Sequence, residues 1–173
     1  MELLIRLLRR DEAGLLDDFV ARLSPQSRYL RFHSPIRALG GGVRRALSDV
    51  DERDTIGLVA ETVNGSVVGV AHLVRDRAAG STKAEVAVAV ADAWQRRGVG
   101  RALVTALSER AGEVGIDRLS ARVLPENAAA RSLFRTVFPI SLVHRDRDVV
   151  VLTALLRGVD QITLDDVLDD LVA

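Results

Sequence analysis

The residues that invite a chemical reading run from Glu85 to Leu107, EVAVAVADAWQRRGVGRALVTAL. An almost wholly apolar run leads into Gln95-Arg96-Arg97-Gly98-Val99-Gly100, and an amphipathic helical pattern begins at once with Arg101. Glycines at the start of a helix let the main chain approach a ligand with its N–H groups pointing outward. The helix dipole adds about half a positive charge there, and Arg96, Arg97 and Arg101 add formal ones. That chemistry suits a multiply charged anion such as a diphosphate. The same spacing also fits a plain strand-to-helix turn, with glycines for tight packing and arginines in water. No Gly-Lys-Ser/Thr follows, so this is not a Walker loop. The third glycine of a dinucleotide fingerprint is missing, as is the acid at the end of the next strand.

The elements that must position this segment alternate strand and helix. Glu2–Leu8 reads as a strand, and Asp11 as the cap of a helix reaching Leu23. Ser24-Pro25 opens another helix through Phe32, serine as N-cap and proline at the first helical position. Leu39-Gly40-Gly41-Gly42 reads as a hinge or loop, followed by a short segment over Val43–Ser48. Thr55–Val63 and Val67–Val74 flank Asn64-Gly65, a strong hairpin signal. Strands are expected at Lys83–Ala91 and Leu119–Leu124, helices at Gly98–Val114 and Asn127–Thr136. A last hairpin joins Pro139–His144 to Val149–Leu156, and Thr163 caps a terminal helix. The order predicts a mixed α/β (α+β) fold, a largely antiparallel sheet flanked by helices. Residues 1–157 are expected to form one domain, with 158–173 an acidic helix or tail.

Composition bounds the partners. At 173 residues and 48% hydrophobic the chain suits one folded domain, and without cysteine it has neither disulfides nor thiolate metal ligands. His33, His72 and His144 lack ligand spacing, so no metal is expected. Twenty-four basic residues balance 24 acidic ones and aromatics are 3%, which argues against nucleic acid. Lys83 is the only lysine, the other bases being arginine. No apolar run matches a membrane span or signal peptide, so a cytoplasmic location is expected. The first 50 residues carry nine arginines and six acids, whereas 157–173 carry one arginine and five aspartates. These opposed ends could meet within a molecule or in a homodimer, although a solvated surface explains them as well.

Gln95-Arg96-Arg97-Gly98-Val99-Gly100 after a hydrophobic strand resembles the acyl-CoA pyrophosphate loop of the GNAT superfamily of N-acetyltransferases. Pro125-Glu126-Asn127, followed by Ala130 and Leu133-Phe134, resembles that family's next block. Leu23–Phe32, with Ala84–Val88 and Val90–Gln95, is similar to segments of bacterial Pat-type protein lysine acetyltransferases.

The resemblance implies an acetyl-CoA-dependent N-acetyltransferase acting on a primary amine, a protein lysine being the favoured acceptor. It implies that backbone at Val88, Ala89 and Val90 pairs with the pantetheine arm in a splayed strand edge. It implies that N–H groups from Gln95 and Arg96 through Arg101 hold the diphosphate, that Asn127 orients the arm, and that Phe134 borders it. Glu85, the one charge between Ala84 and Ala91, takes the place of the general base. Many members have a tyrosine where Phe134 stands, so the usual proton donor to the leaving thiolate is missing. Tyr29, the only tyrosine, is a speculative substitute. Val137-Phe138 replaces the usual Gly-Phe. These departures keep a second expectation open, a non-catalytic acyl-CoA-binding or regulatory module. An unrelated phosphate-binding α/β domain is a third.

Overall fold

The computed structural model describes residues 3–156. The expected terminal helix and the acidic tail lie outside the described residues. Strand β1 (Leu3–Leu7) leads through a single 3-10 turn into helix α1 (Ala13–Arg22), followed by α2 (Pro25–Phe32) and α3 (Gly41–Ser48). Then come β2 (Thr55–Thr62), β3 (Val67–Arg75), β4 (Lys83–Val90), α4 (Val99–Glu113), β5 (Arg118–Val123), α5 (Ala128–Val137), β6 (Ile140–Asp146) and β7 (Val149–Leu155). The seven strands form one sheet in the order β1-β2-β3-β4-β5-β7-β6. Every neighbouring pair is antiparallel except β4 and β5.

Side-chain alternation along β2 shows how the sheet is covered. Ile56, Leu58 and Ala60 point into one core, built with Leu103, Leu107 and Ala111 of α4 and Phe134 of α5. Val59 points into the other, built with Leu16, Phe19 and Val20 of α1. The sheet is thus sandwiched between α4–α5 and α1–α3.

Two expectations are corrected locally. Asp11 does not cap α1. Glu12 Oε2 instead accepts from the Arg9 N–H (3.0 Å) and from Arg6 (2.9 Å), which holds a separate 3-10 turn before the helix. The glycine run is not a hinge, since Gly40 caps α3 and Gly41 and Gly42 form its first turn. The Arg44 N–H donates to the Gly40 carbonyl (2.9 Å), and Leu47 packs on the α1-side core, so the apolar face of this helix outweighs the poor propensity of its start. Among the described residues no helix is long and apolar enough to cross a membrane.

The feature that shapes the site lies between β4 and β5. These strands pair only at Lys83↔Arg118, Ala84↔Leu119 and Glu85↔Ser120, then diverge. On its other edge β4 stays paired with β3 as far as Val90. From Val86 onward the β5-facing edge of β4 therefore carries main-chain donors and acceptors without a strand partner among the described residues, a state that favours an incoming extended group.

Candidate active site

Three concavities meet along this fork. A groove of about 470 Å3 runs beside Val88, Ala89 and Val90 to the N-terminus of α4, with α5 and α2 as its walls. A cleft of about 750 Å3 opens on the paired side of the fork, around Glu85 and Arg122. A slot of about 50 Å3 lies between β4 and β5.

The groove's far end is a cradle made of main chain. Gly98 has φ 84, and Arg96 takes the left-handed region as well at φ 60. Such alternation turns successive N–H groups toward one point, and a non-glycine residue held there marks a loop whose surroundings dictate its shape. The Ala102 N–H is the first to bond inside α4, to the Gly98 carbonyl (3.0 Å), so the amides before it have no intrahelical acceptor. Arg96 and Arg101 line this end without an ion-pair partner among the described residues. Gly100 serves packing, since a Cβ there would stand 3.2 Å from Leu133 Cδ2 of α5.

Other residues singled out in the sequence divide between lining the groove and holding its walls. Val88, Ala89, Val90, Gln95, Arg96, Gly98, Gly100, Arg101 and Asn127 line it. The Asn127 Oδ1 caps α5 by accepting from the Ala130 N–H (3.0 Å), leaving its amide NH2 without a protein partner among the described residues. The Val99 side chain is buried under the sheet, and Arg97 stacks over Trp94 at 5.6 Å, so neither side chain lines the groove. Phe134 is buried against Phe138 (centroids 4.8 Å apart) and borders only the slot. Tyr29 lines none of the three spaces; its hydroxyl donates to Glu126 Oε1 (3.2 Å). Among the described residues no three His, Asp or Glu side chains gather as metal ligands would.

Sequence reading missed the clasp between α2 and the loop. Asp92 accepts from the Ser24 N–H (2.9 Å), the Ser24 hydroxyl (2.7 Å) and the Ser27 hydroxyl (2.8 Å). Gln95 Nε2 then donates to Ser27 Oγ and to the Val90 carbonyl, both at 3.1 Å. Burial works against the Asp92 charge, but these hydrogen bonds outweigh it and hold the carboxyl below its ordinary range. The clasp fixes the wall that carries Gln26, Leu30 and Arg31. Ser24 as a helix cap was the one local signal; nothing in the chain links it to an aspartate 68 residues on.

Glu85 sits where the pairing of β4 and β5 ends. It reaches water at the cleft, yet enough protein surrounds it to push its carboxyl above the ordinary range, against the pull of Arg122 and Arg31. Arg122 is itself tied to Asp146 (2.7 Å). His72, under the same cleft, is buried and pushed down to about 4 by desolvation and by Arg31, although its Nε2 bonds the Leu47 carbonyl (2.9 Å). It is neutral at pH 7. Glu85 lies three residues from Val88, roughly 10 Å along the strand, and opens on the cleft side of the fork.

Residues 20–138 match the family model described as acetyltransferase (GNAT) family. The chain is 34% identical to the acetyltransferase Pat of Mycolicibacterium smegmatis over 151 residues, covering 85% of this chain and 44% of that protein's length. Its fold matches the GNAT domain of S. lividans PAT with a TM-score of 0.80 and 31% identity, over 87% of this chain and 89% of that one. The Salmonella typhimurium protein yncA, solved with its cofactor acetyl-CoA, shares the fold at a TM-score of 0.69 and 19% identity, over 95% and 99% of the two chains. A strand fork opening into a main-chain cradle, together with these matches, places the chain in the GNAT acetyltransferase family.

Proposed function

We propose that this chain transfers an acetyl group from acetyl-CoA to a primary amine, with a protein lysine as acceptor and residues 1–157 as the working unit. The observation that carries the reading is the fork. Beyond Glu85 the edge of β4 lies open along a groove that ends in N–H groups without an intrahelical acceptor and two arginines without an ion-pair partner among the described residues. An extended chain with amides along its length and a diphosphate at one end satisfies both. Acetyl-CoA supplies the activated acetyl thioester; similarity to the acetyltransferase Pat and to a relative solved with acetyl-CoA supports that choice, and the resemblance of Leu23–Phe32 to Pat-type protein lysine acetyltransferases favours a lysine acceptor.

The chain's own groups then have distinct work. Open main chain at Val88, Ala89 and Val90 takes the arm, the amide of Asn127 steadies it, and the cradle from Gln95 to Arg101 neutralises the diphosphate. A lysine amine has a pKa of about 10.4 and must shed a proton before it attacks. Glu85 accepts that proton, through a water, from the cleft side. A carboxylate held above its ordinary range shares the proton better with an amine than a free one would. The position of Glu85 in the cleft, where the pairing of β4 and β5 ends, favours catalysis over mere binding. Phe134, which has no hydroxyl to give, supports the second reading of a binding module.

Release of CoA thiol from acetyl-CoA in the presence of lysine-containing proteins and peptides tests the reading. Wild type is expected to turn over, with acetyl-lysine found by mass spectrometry. Tight acetyl-CoA binding without turnover on any amine would establish the second reading.

A further inference from the structure

The missing tyrosine raises the question of what stabilises the leaving sulfur. Among the described residues bordering the groove and the cleft, Arg31 alone borders both, and it borders the slot between them as well. It projects from the last turn of α2, the helix that the Asp92 clasp holds in place. Its guanidinium lies 5.0 Å over the Phe32 ring, which orients it. None of its five donors has a hydrogen-bond or ion-pair partner among the described residues. Desolvation pushes it down to about 10, with Glu85 the one group pulling back. It remains charged at pH 7. An under-solvated cation with spare donors is a preformed receptor for negative charge, and its position is where the groove's contents meet the cleft's.

This inference rests on the proposed acetyl transfer. We infer that Arg31 is a catalytic residue that stabilises the negative charge developing on the thioester in the transition state, doing by charge what the absent hydroxyl does by proton donation. In the step, the amine, already relieved of its ammonium proton by Glu85, bonds through nitrogen to the carbonyl carbon, and the surplus proton on that nitrogen passes to water. The carbon–sulfur bond breaks with its electron pair on sulfur, and the thiolate takes a proton from water on release. A thiol pKa near 8.5 makes the thiolate a tolerable leaving group, so a nearby cation suffices where a donor is lacking. The guanidinium also keeps the incoming amine neutral by disfavouring a second cation beside it.

The test compares wild type with Arg31→Gln, Arg31→Lys and Arg31→Ala, measuring acetyl-CoA affinity by calorimetry and turnover by thiol release. Arg31→Gln is expected to lower kcat by roughly 10²–10³-fold, with the acetyl-CoA dissociation constant within about threefold of wild type. Arg31→Lys should fall between them. Arg31→Ala should regain about tenfold or more in kcat on adding guanidinium ion at millimolar concentration, a rescue that a merely structural role would not show. Loss of acetyl-CoA affinity parallel to loss of turnover, without rescue, would overturn the inference and leave Arg31 a wall residue. Faster turnover of succinyl-CoA than acetyl-CoA by wild type, lost in Arg31→Gln, would overturn it in favour of a receptor for an acyl carboxylate. If wild type itself transfers nothing, the failure lies with the proposed function; if Arg31→Gln matches wild type, it lies with Arg31 alone.

Discussion

The groove and the cleft share β4 but differ in what they are made of. The groove offers main chain: an unpaired strand edge, the left-handed Arg96 and Gly98, and amides at the start of α4, with side chains mostly holding its walls. The cleft offers side chains, with Glu85 from β4, Arg122 from β5, His144 from β6 and Arg31 from α2. A main-chain surface recognises what all its ligands have in common, which in the proposed function is amides and phosphate. A side-chain surface can be changed residue by residue without disturbing the sheet. The contrast teaches that cofactor affinity and acceptor chemistry are separable, and substitutions on the two sides should leave different kinetic signatures.

The largest effect is expected on the cleft side. Glu85→Gln should cut kcat by roughly 10²–10⁴-fold while acetyl-CoA affinity stays within about twofold, in calorimetry alongside initial rates. The variant should melt no lower than wild type at pH 8. A carboxyl whose folded pKa is raised is penalised when charged, so the cost is present above that pKa and vanishes at low pH, and glutamine never incurs it. Equal losses in binding and turnover would erase the contrast.

On the groove side, Gly98→Val forces a β-branched residue to φ 84, at a cost of about 1–3 kcal/mol. Acetyl-CoA affinity should fall about 10–100-fold with little change in the acceptor KM, as read by titration and by varying each substrate. Asp92→Ala releases three hydrogen bonds from α2. Acetyl-CoA affinity should weaken about tenfold, from some 1.5 kcal/mol of lost charge-assisted bonding. The smallest effect sharpens the cleft. Arg122 pulls the Glu85 carboxyl down, so Arg122→Gln should move the acidic limb of the kcat/KM profile upward, by up to about one pH unit, and leave acetyl-CoA titration unchanged. A downward move would contradict the pull of Arg122 on Glu85.

The same contrast explains what could be read from the chain beforehand. The loop at Gly98 and β4 lie within one continuous stretch, so glycine spacing and apolar patterning announced a strand running into a helix there, as Asn64-Gly65 announced the β2–β3 hairpin. Element ends moved where a longer-range contact intervened, as when Arg6 drew Glu12 into capping the 3-10 turn in place of Asp11. The cleft and the clasp are assembled from separate elements. Ser24 and Asp92, or Glu85, Arg122 and Arg31, share no local pattern, and only the sheet order and the packing of α2 bring them together. Arg96 in the left-handed region was invisible for a different reason, since arginine carries no propensity that signals it.

The central claim is that the open edge of β4 and the cradle beyond it receive one extended ligand. Hydrogen–deuterium exchange of the full chain, with and without saturating acetyl-CoA, tests this most directly. The account predicts slowed exchange at amides of Val86–Val90 and of Gly98–Arg101, with β1 and β2 unchanged. Unchanged exchange along β4, or protection confined to another part of the sheet, would contradict it.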